Sequence, residues 1–213
     1  MMKIKKILMA LAAVGVMTVS TAQAATTPSK ITAFDNVLTS DVFSVTATGW
    51  SDPAFGDMGW THKSGWGSFT AKKGQNVTVT LVATDKGIHP GTTIWYRGAN
   101  DTAPDSYVVD HFYPQNANFA KMKAVTEDTG EALGNIIMKY VAHGYDLDKN
   151  TVNDALLKGK KDTVAGKFTV TFKAPYDGAY MFVVGGFNPD ANITGDATAI
   201  KANHDVNVKV SIK

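Results

Sequence analysis

Several short segments of this chain alternate strictly between apolar and polar residues, and this pattern constrains the fold more than any other feature. It is clearest in residues 76–84, 167–173 and 205–213, where every second residue is aliphatic or aromatic. Successive side chains of an extended strand point to opposite faces, so each segment would place one apolar face on a core and one polar face towards solvent. The pattern therefore predicts half-buried β-strands.

Further segments have the same character, and together they predict the fold class. Lys72-Lys73-Gly74-Gln75 indicates a turn between residues 66–71 and 76–84, which predicts a β-hairpin. We expect a mainly β protein, with residues 25–213 forming a single β-sandwich-like domain of about eight strands. The remaining expected strands are residues 43–50, 66–71, 92–97, 106–113 and 179–187.

One region departs from the two-residue period. Leu133, Ile136, Ile137, Tyr140 and Val141 fall at helical spacing. With a cap near residue 128, a stop near residue 144 and a shorter helix over 152–158, the pattern predicts a helical insertion over residues 128–158. His143 would then lie at a helix C-terminus, where a cation is favoured.

The first 24 residues have the features of a secretory signal peptide. Three lysines precede an apolar run, and Ala22-Gln23-Ala24 is a small-x-small cleavage site. Three of the 21 basic residues thus belong to the leader, which leaves 18 against 19 acidic residues. We therefore expect export to the cell surface, the outer membrane or the periplasm, no membrane span in the mature chain and no nucleic-acid partner.

The chain contains no cysteine. This excludes blue-copper centres, cysteine-type structural zinc sites and iron–sulfur clusters, all of which need thiolate ligands. Any bound metal must use nitrogen, oxygen or thioether ligands. Asp146-Leu147-Asp148 resembles the start of a calcium loop, but Thr151 stands where that loop needs glycine and Leu157 where it needs glutamate, so we do not expect calcium there.

Five histidines are the candidate nitrogen ligands. His204 begins the last expected strand and should be solvated, whereas His89 precedes a proline and either shapes a turn or approaches a site from a loop. His62 and His111 lie in aromatic-rich extended segments. Two imidazoles with an aromatic neighbour would make a low-coordinate site of the kind that suits copper(I).

The most informative stretch is Gly59-Trp60-Thr61-His62, followed by Ser64-Gly65-Trp66-Gly67. In an extended segment Trp60 and His62 would lie on the same face. The simple alternative is that both pack in a β core.

These residues resemble the Trp-x-His segment of the copper-repressible surface proteins of methanotrophic bacteria, the CorA/MopE type. Residues 89–97 and Asp110-His111 are also similar to that group, and the order of elements agrees over most of the mature chain. The resemblance implies that Trp60 is oxidised to kynurenine. It further implies that Trp60 and His62 are joined by a second histidine around one copper(I) per chain. His111 fits the position of the second histidine, and His89 is the competitor.

The resemblance implies an exported copper(I)-binding protein for copper acquisition rather than an enzyme, with a cytochrome-type peroxidase as the partner that oxidises the tryptophan. Two alternatives remain from the residues themselves. One is a copper-dependent oxidative enzyme, although a histidine-brace mechanism would need histidine at the mature N-terminus, where Ala25 is expected. The other is a metal-free surface module that binds glycans through Trp50, Trp66 and Trp95.

Overall fold

Two β-sheets, one of six strands and one of four, pack face to face and make up most of the fold. A computed structural model describes residues 30–47, 50–52, 57–59, 63–107, 118–126, 129–149 and 159–213. In chain order the elements are β1 (Ile31–Phe34), β2 (Ser40–Thr46), β3 (Trp50–Asp52), β4 (Asp57–Gly59), β5 (Gly65–Ala71), β6 (Asn76–Ala83), β7 (His89–Arg97), β8 (Phe119–Val125), β9 (Ala132–Tyr145), β10 (Lys167–Lys173), β11 (Gly178–Phe187), α1 (Pro189–Thr194), α2 (Ala197–Lys201) and β12 (Asn203–Ile212).

The mainly β, sandwich-like fold class is confirmed. The larger sheet has the order β1-β5-β11-β7-β9-β8, and the smaller has β10-β6-β12-β2. The β1–β5 pair is parallel and the other pairs are antiparallel. Strands β3 and β4 pair with each other beside the two sheets. These two sheets hold ten strands rather than about eight, because β1 and β8 form where no strand was expected and β9 lies where a helix was expected.

The apolar side chains of the alternating strands meet between the sheets, as their period predicts. We call this buried set the central core. Its members from the larger sheet include Ile94, Tyr180 and Phe182, and its members from the smaller sheet include Leu81 and Val208. The opposite face of the larger sheet carries a second apolar group, the outer cluster. The outer cluster consists of Trp66, Trp95, Ala103, Phe119, Ala124, Leu133, Ile136, Met138, Met181 and Val183.

The expected hairpin of residues 66–71 and 76–84 is wrong, although both strands exist. Strand β5 pairs with β1 and β11 in the larger sheet, whereas β6 pairs with β10 and β12 in the smaller one. The turn at Gly74 therefore carries the chain from one sheet to the other. Alternation reports which face of a strand is buried, but it does not report which neighbour the strand pairs with.

The helical insertion over residues 128–158 is also wrong in its described part. Residues 132–145 form β9, a strand of 14 residues between β7 and β8, and residues 150–158 with the expected second helix lie outside the described residues. Leu133 and Ile136 face the outer cluster, whereas Val141 packs against the central core. A long strand that is buried on both faces and interrupted by a bulge produces apolar spacings that imitate a helix.

The helices that do form are two short ones before the last strand. Asn188 caps α1 by accepting a hydrogen bond from the Ala191 amide, and Asp196 caps α2 in the same way. Within the described residues, no helix is long and apolar enough to cross a bilayer. The division into a leader of residues 1–24 and a single mature domain stays a prediction.

Candidate metal centre

Three of the four expected copper ligands, Trp60, His62 and His111, lie outside the described residues, and only His89 lies within them. The chain on either side of these three is described, however. Gly59 ends β4, Lys63 follows His62, and Tyr107 and Asn118 bound the segment that contains His111. The expected strand over 106–113 is described only as far as Tyr107, which forms a β-bridge.

These bordering residues lie beside two strands of the larger sheet. Strand β4 packs against β7 and β9. The Tyr107 ring packs on the outer cluster, and its carbonyl oxygen accepts a hydrogen bond from Arg97 at the end of β7. The Asn118 side chain accepts one from the Tyr140 amide in β9 at 2.8 Å. Both segments that carry expected ligands therefore start or end next to β7 and β9.

The outer cluster, on which the Tyr107 ring packs, contains three aromatic side chains. Trp66 of β5 and Trp95 of β7 are buried with ring centroids 6.0 Å apart and planes within 24°, and Trp95 also contacts Phe119. Glycan-binding tryptophans must be exposed to stack on a sugar. Burial of Trp66 and Trp95 therefore removes two of the three tryptophans on which the glycan-binding alternative rested.

A β-bulge in β9 gives this face an unusual pair of polar side chains. The register between β7 and β9 shifts between Ile94 and Trp95, so that Trp95 lies opposite Tyr140 while Ile94 lies opposite Ala142. Val141 is the extra residue. In a regular strand, residues three apart point to opposite faces, but the bulge places Tyr140 and His143 on the same face. The Tyr140 hydroxyl and His143 Nδ1 are 2.5 Å apart.

This arrangement corrects the expectation for His143. It lies within a strand, opposite Thr93, and does not cap a helix. Sequence reasoning missed the pair because nothing in the residue pattern marks Val141 as a bulge. The half-buried position of both side chains gives the pair access to the protein surface.

His89 is held by a buried carboxylate. Its Nδ1 lies 2.7 Å from Asp146 Oδ2, and the two side chains are 4% and 0% exposed. Asp146 also accepts hydrogen bonds from the amides of Gly166 and Asp148. The carboxylate thus fixes the orientation of the His89 ring and ties together the start of β7, the end of β9 and the loop before β10. Carboxylate–histidine pairs of this kind occur behind metal ligands and in purely structural roles.

His204 also differs from its expected solvated state. It begins β12 as expected, but Nδ1 lies 2.6 Å from Asp85 Oδ2 and Nε2 lies 3.2 Å from the Ala199 carbonyl oxygen. Both ring nitrogens are therefore occupied by protein groups.

Asp146 and Asp148, the acidic residues of the calcium-loop-like stretch, accept hydrogen bonds from backbone amides. Asp148 Oδ2 accepts a hydrogen bond from the Asp162 amide at 2.5 Å. Within the described residues, no three histidine, aspartate or glutamate side chains are grouped as metal ligands.

We expect Asp148→Asn to destabilise the protein more at neutral pH than in acid. Burial raises the pKa of the Asp148 carboxyl, but hydrogen bonds from the Asp162 amide and carboxyl and from the next two amides outweigh it, so the pKa lies below its ordinary value. The ionised carboxylate therefore stabilises the folded chain above the unfolded pKa of about 3.9, and this contribution is lost as the pH falls through the folded pKa. Urea unfolding of both proteins at several pH values measures the difference, which should shrink in acid. A pH-independent difference would contradict the assignment.

Comparisons with known proteins agree with this fold and identify the family to which the chain belongs. The family described as copper(I)-binding protein CorA-like matches residues 22–194. This chain belongs to that family. CorA-like membership also confirms the resemblance seen in the sequence around Trp60.

Two solved structures are similar to this CorA-like chain. CorA of Methylomicrobium album BG8, described as a surface-associated copper-binding protein important in copper acquisition, is 35% identical, with a TM-score of 0.72 over 87% of this chain and 99% of CorA. The secreted protein MopE of Methylococcus capsulatus is 18% identical, with a TM-score of 0.54 over 86% of this chain and 99% of the MopE structure, and supports the fold alone. A search of curated protein sequences gives no match.

Proposed function

We propose that this protein is an exported copper(I)-binding protein that serves copper acquisition. It binds one copper(I) per chain through His62, His111 and a kynurenine formed from Trp60. The observation that carries the proposal is membership of the CorA-like copper(I)-binding family over residues 22–194, which include all three positions. CorA itself is described as important in copper acquisition, and this role is proposed here for the present chain.

The chemistry of the residues supports this ligand set. Without cysteine, the chain offers imidazole as its best ligand for copper. An intact indole N–H is a donor only, whereas the ring-opened product carries an aromatic amine with a free lone pair. The MopE structure is described as having an oxidised tryptophan that facilitates copper binding. The Trp60-x-His62 resemblance, rather than the fold likeness to MopE, supports the same role for Trp60.

We propose His111 as the second histidine because it fits the resemblance best, and His89 stays the competitor. Gly59 ends a strand that packs against β7 and β9, and the His111 segment is bounded by Tyr107 and Asn118 near the Arg97 end of β7. His89 starts β7 at the opposite end, the end at which β5 begins, because Gly65 of β5 pairs with Val184 and Val184 pairs with Thr92. Asp146 holds its Nδ1, which would leave Nε2 as the ligand atom if His89 were the second histidine.

The proposed location is outside the inner membrane. CorA is described as surface-associated and MopE as secreted, and the signal-peptide pattern of residues 1–24 supports export of this chain. A cell-surface or periplasmic location suits a protein that collects copper before it enters the cell. The proposed partner that oxidises Trp60 is a cytochrome-type peroxidase, which would use peroxide as the oxidant.

The experiment is a copper(I) competition titration of protein purified from its own host, combined with peptide mass mapping of the Trp60 segment. Kynurenine shows as loss of one carbon and gain of one oxygen. We expect His62→Ala and His111→Ala each to weaken binding more than about 100-fold, because losing groups that merely orient ligands costs about 10–100-fold.

His204→Ala is the matched control, since its ring is occupied by Asp85 and Ala199. It should bind copper as the wild type does. Full affinity in His111→Ala together with loss in folded His89→Ala would reassign the second ligand to His89. An unmodified Trp60 in copper-free protein would overturn the site. Catalytic turnover with oxygen or peroxide and a reductant would favour the oxidative-enzyme alternative.

A further inference from the structure

We propose that Tyr140 and His143 form a proton-coupled redox pair that takes up one-electron oxidation from the buried Trp66–Trp95 stack. The proposal rests on the bulge, the hydrogen bond and the aromatic contacts of the described residues. It does not depend on copper or on the modification of Trp60.

The bulge at Val141 makes the pair possible. It brings Tyr140 and His143 to one face of β9, where the hydroxyl oxygen and Nδ1 approach to 2.5 Å and the ring centroids lie 5.5 Å apart. The Asn118 side chain accepts the Tyr140 amide hydrogen, so the distorted backbone keeps its hydrogen bond. Bulges are often found where a strand must re-aim a functional side chain.

The hydrogen bond matters because a phenol loses its proton when it loses an electron. An imidazole nitrogen in contact with the hydroxyl can accept that proton without diffusion through water. Tyr96 and Tyr180 differ in this respect. Tyr96 donates to the Asp177 carbonyl oxygen and Tyr180 to the Tyr176 carbonyl oxygen, and a carbonyl cannot take the proton away.

The pair also lies next to oxidisable aromatic residues. Tyr140 lies directly opposite Trp95 in the β7–β9 ladder and packs on the outer cluster. Cross-strand partners of this kind have Cβ atoms about 4.5–5.5 Å apart. Trp95 in turn stacks on Trp66 at 6.0 Å. Electrons can therefore move from Tyr140 to an oxidised Trp95, and from there to Trp66, between directly neighbouring residues.

An outer-sphere metal-complex oxidant, of the class of ruthenium(III) tris-bipyridine, removes one electron from Trp95 or Trp66, and the indole radical cation takes one electron from Tyr140. The Tyr140 O–H bond breaks, the proton moves to His143 Nδ1, and a neutral tyrosyl radical beside an imidazolium remains. A one-electron reductant of the ascorbate class then returns one electron at the half-buried edge of the pair while the proton moves back.

The test is photochemical oxidation of the purified full chain with a ruthenium tris-bipyridine sensitiser and persulfate, followed by freezing and electron paramagnetic resonance. We expect a neutral tyrosyl signal in the wild type that is absent in Tyr140→Phe. His143→Gln keeps a hydrogen-bond acceptor but no base. It should lower the tyrosyl yield roughly tenfold, the effect expected if loss of the charge-assisted hydrogen bond destabilises the radical state by about 1.4 kcal/mol.

Peptide mass mapping of the same samples provides an independent readout. Oxidation products at Trp66 and Trp95 should rise in Tyr140→Phe and His143→Gln but not in the control Tyr180→Phe, which removes a hydroxyl without a basic partner. A tyrosyl signal of equal yield in His143→Gln and wild type would overturn the proposal. So would loss of the signal in Tyr180→Phe rather than in Tyr140→Phe.

Discussion

Replacement of Asp146 by alanine is expected to lower the free energy of unfolding by about 3 kcal/mol, because it leaves two buried donors and one half-buried donor without their acceptor, at about 1–3 kcal/mol for each buried one. These donors are His89 Nδ1 and the amides of Gly166 and Asp148, all within 2.8 Å of the carboxylate oxygens. Asp146 is completely buried. A loss of this size is a large part of the stability of a typical domain. Urea unfolding at neutral pH measures it.

Asp177→Ala is the matched control, because this exposed carboxylate accepts one backbone hydrogen bond, from Lys73. We expect it to cost less than about 1 kcal/mol. His89→Ala in the Asp146→Ala background should cost less than His89→Ala alone, since each partner satisfies the other. Simple additivity of the two substitutions would show that the 2.7 Å contact contributes nothing to stability.

Substitution of Gly67 by valine is expected to be the second most damaging change, with Gly67→Ala intermediate. A Cβ at Gly67 would lie 2.3 Å from Cζ of Phe182, a distance that no real contact allows. The Phe182 ring cannot easily yield, because it is fully buried and packs on Phe34, Phe43 and Phe69 at centroid distances of 5.6–6.1 Å. Overpacking of a core costs about 1–3 kcal/mol, so Gly67→Ala should fall in that range and the valine variant above it.

Two variants separate this steric effect from the loss of backbone freedom. Gly98→Ala would place its Cβ 2.8 Å from the Tyr96 ring, which is only half buried and can move, so this variant should be tolerated. Gly67→Ala combined with Phe182→Leu should be more stable than the sum of the single changes predicts. If Phe182→Leu gives no such relief in thermal unfolding experiments, the clash is not the cause.

The strands could be predicted from the sequence where each had one buried and one polar face. Residues 167–173 form β10 with the expected bounds, and β6, β11 and β12 differ from expectation by one or two residues at an end. In these strands a single periodicity decides both the secondary structure and which face of the strand is buried. The pairing of strands depends instead on contacts between distant parts of the chain, which periodicity does not report. For that reason the sequence predicts a hairpin of β5 and β6, although these strands lie in different sheets.

Strand β9 shows where periodicity stops being informative. Its residues contact the outer cluster on one side and the central core on the other, and Val141 shifts the alternation by one. Apolar residues then recur three and four positions apart, as on a helix. The branched side chains of Ile136, Ile137 and Val141 favour a strand, but this preference is weaker than a clear period.

The candidate site was predicted by resemblance more than by residue chemistry. Trp60-x-His62 indicated the family, and the match over residues 22–194 confirms that family. The ligand set itself stays a prediction. The supporting polar groups were not predicted, because the buried position of Asp146 and the common face of Tyr140 and His143 both arise from long-range strand pairing.

The strand order has a consequence for how the chain can reach this structure during synthesis. Strand β11 lies between β5 and β7 in the larger sheet, and β12 lies between β6 and β2 in the smaller one. Strands β11 and β12 thus leave the ribosome after the strands on both sides of them, and each is an interior strand of its sheet. Until they arrive, earlier strands expose unpaired edges, and neither sheet can close. The chain should therefore stay unfolded until both strands have been made, a state in which a protein can still be threaded through a narrow pore.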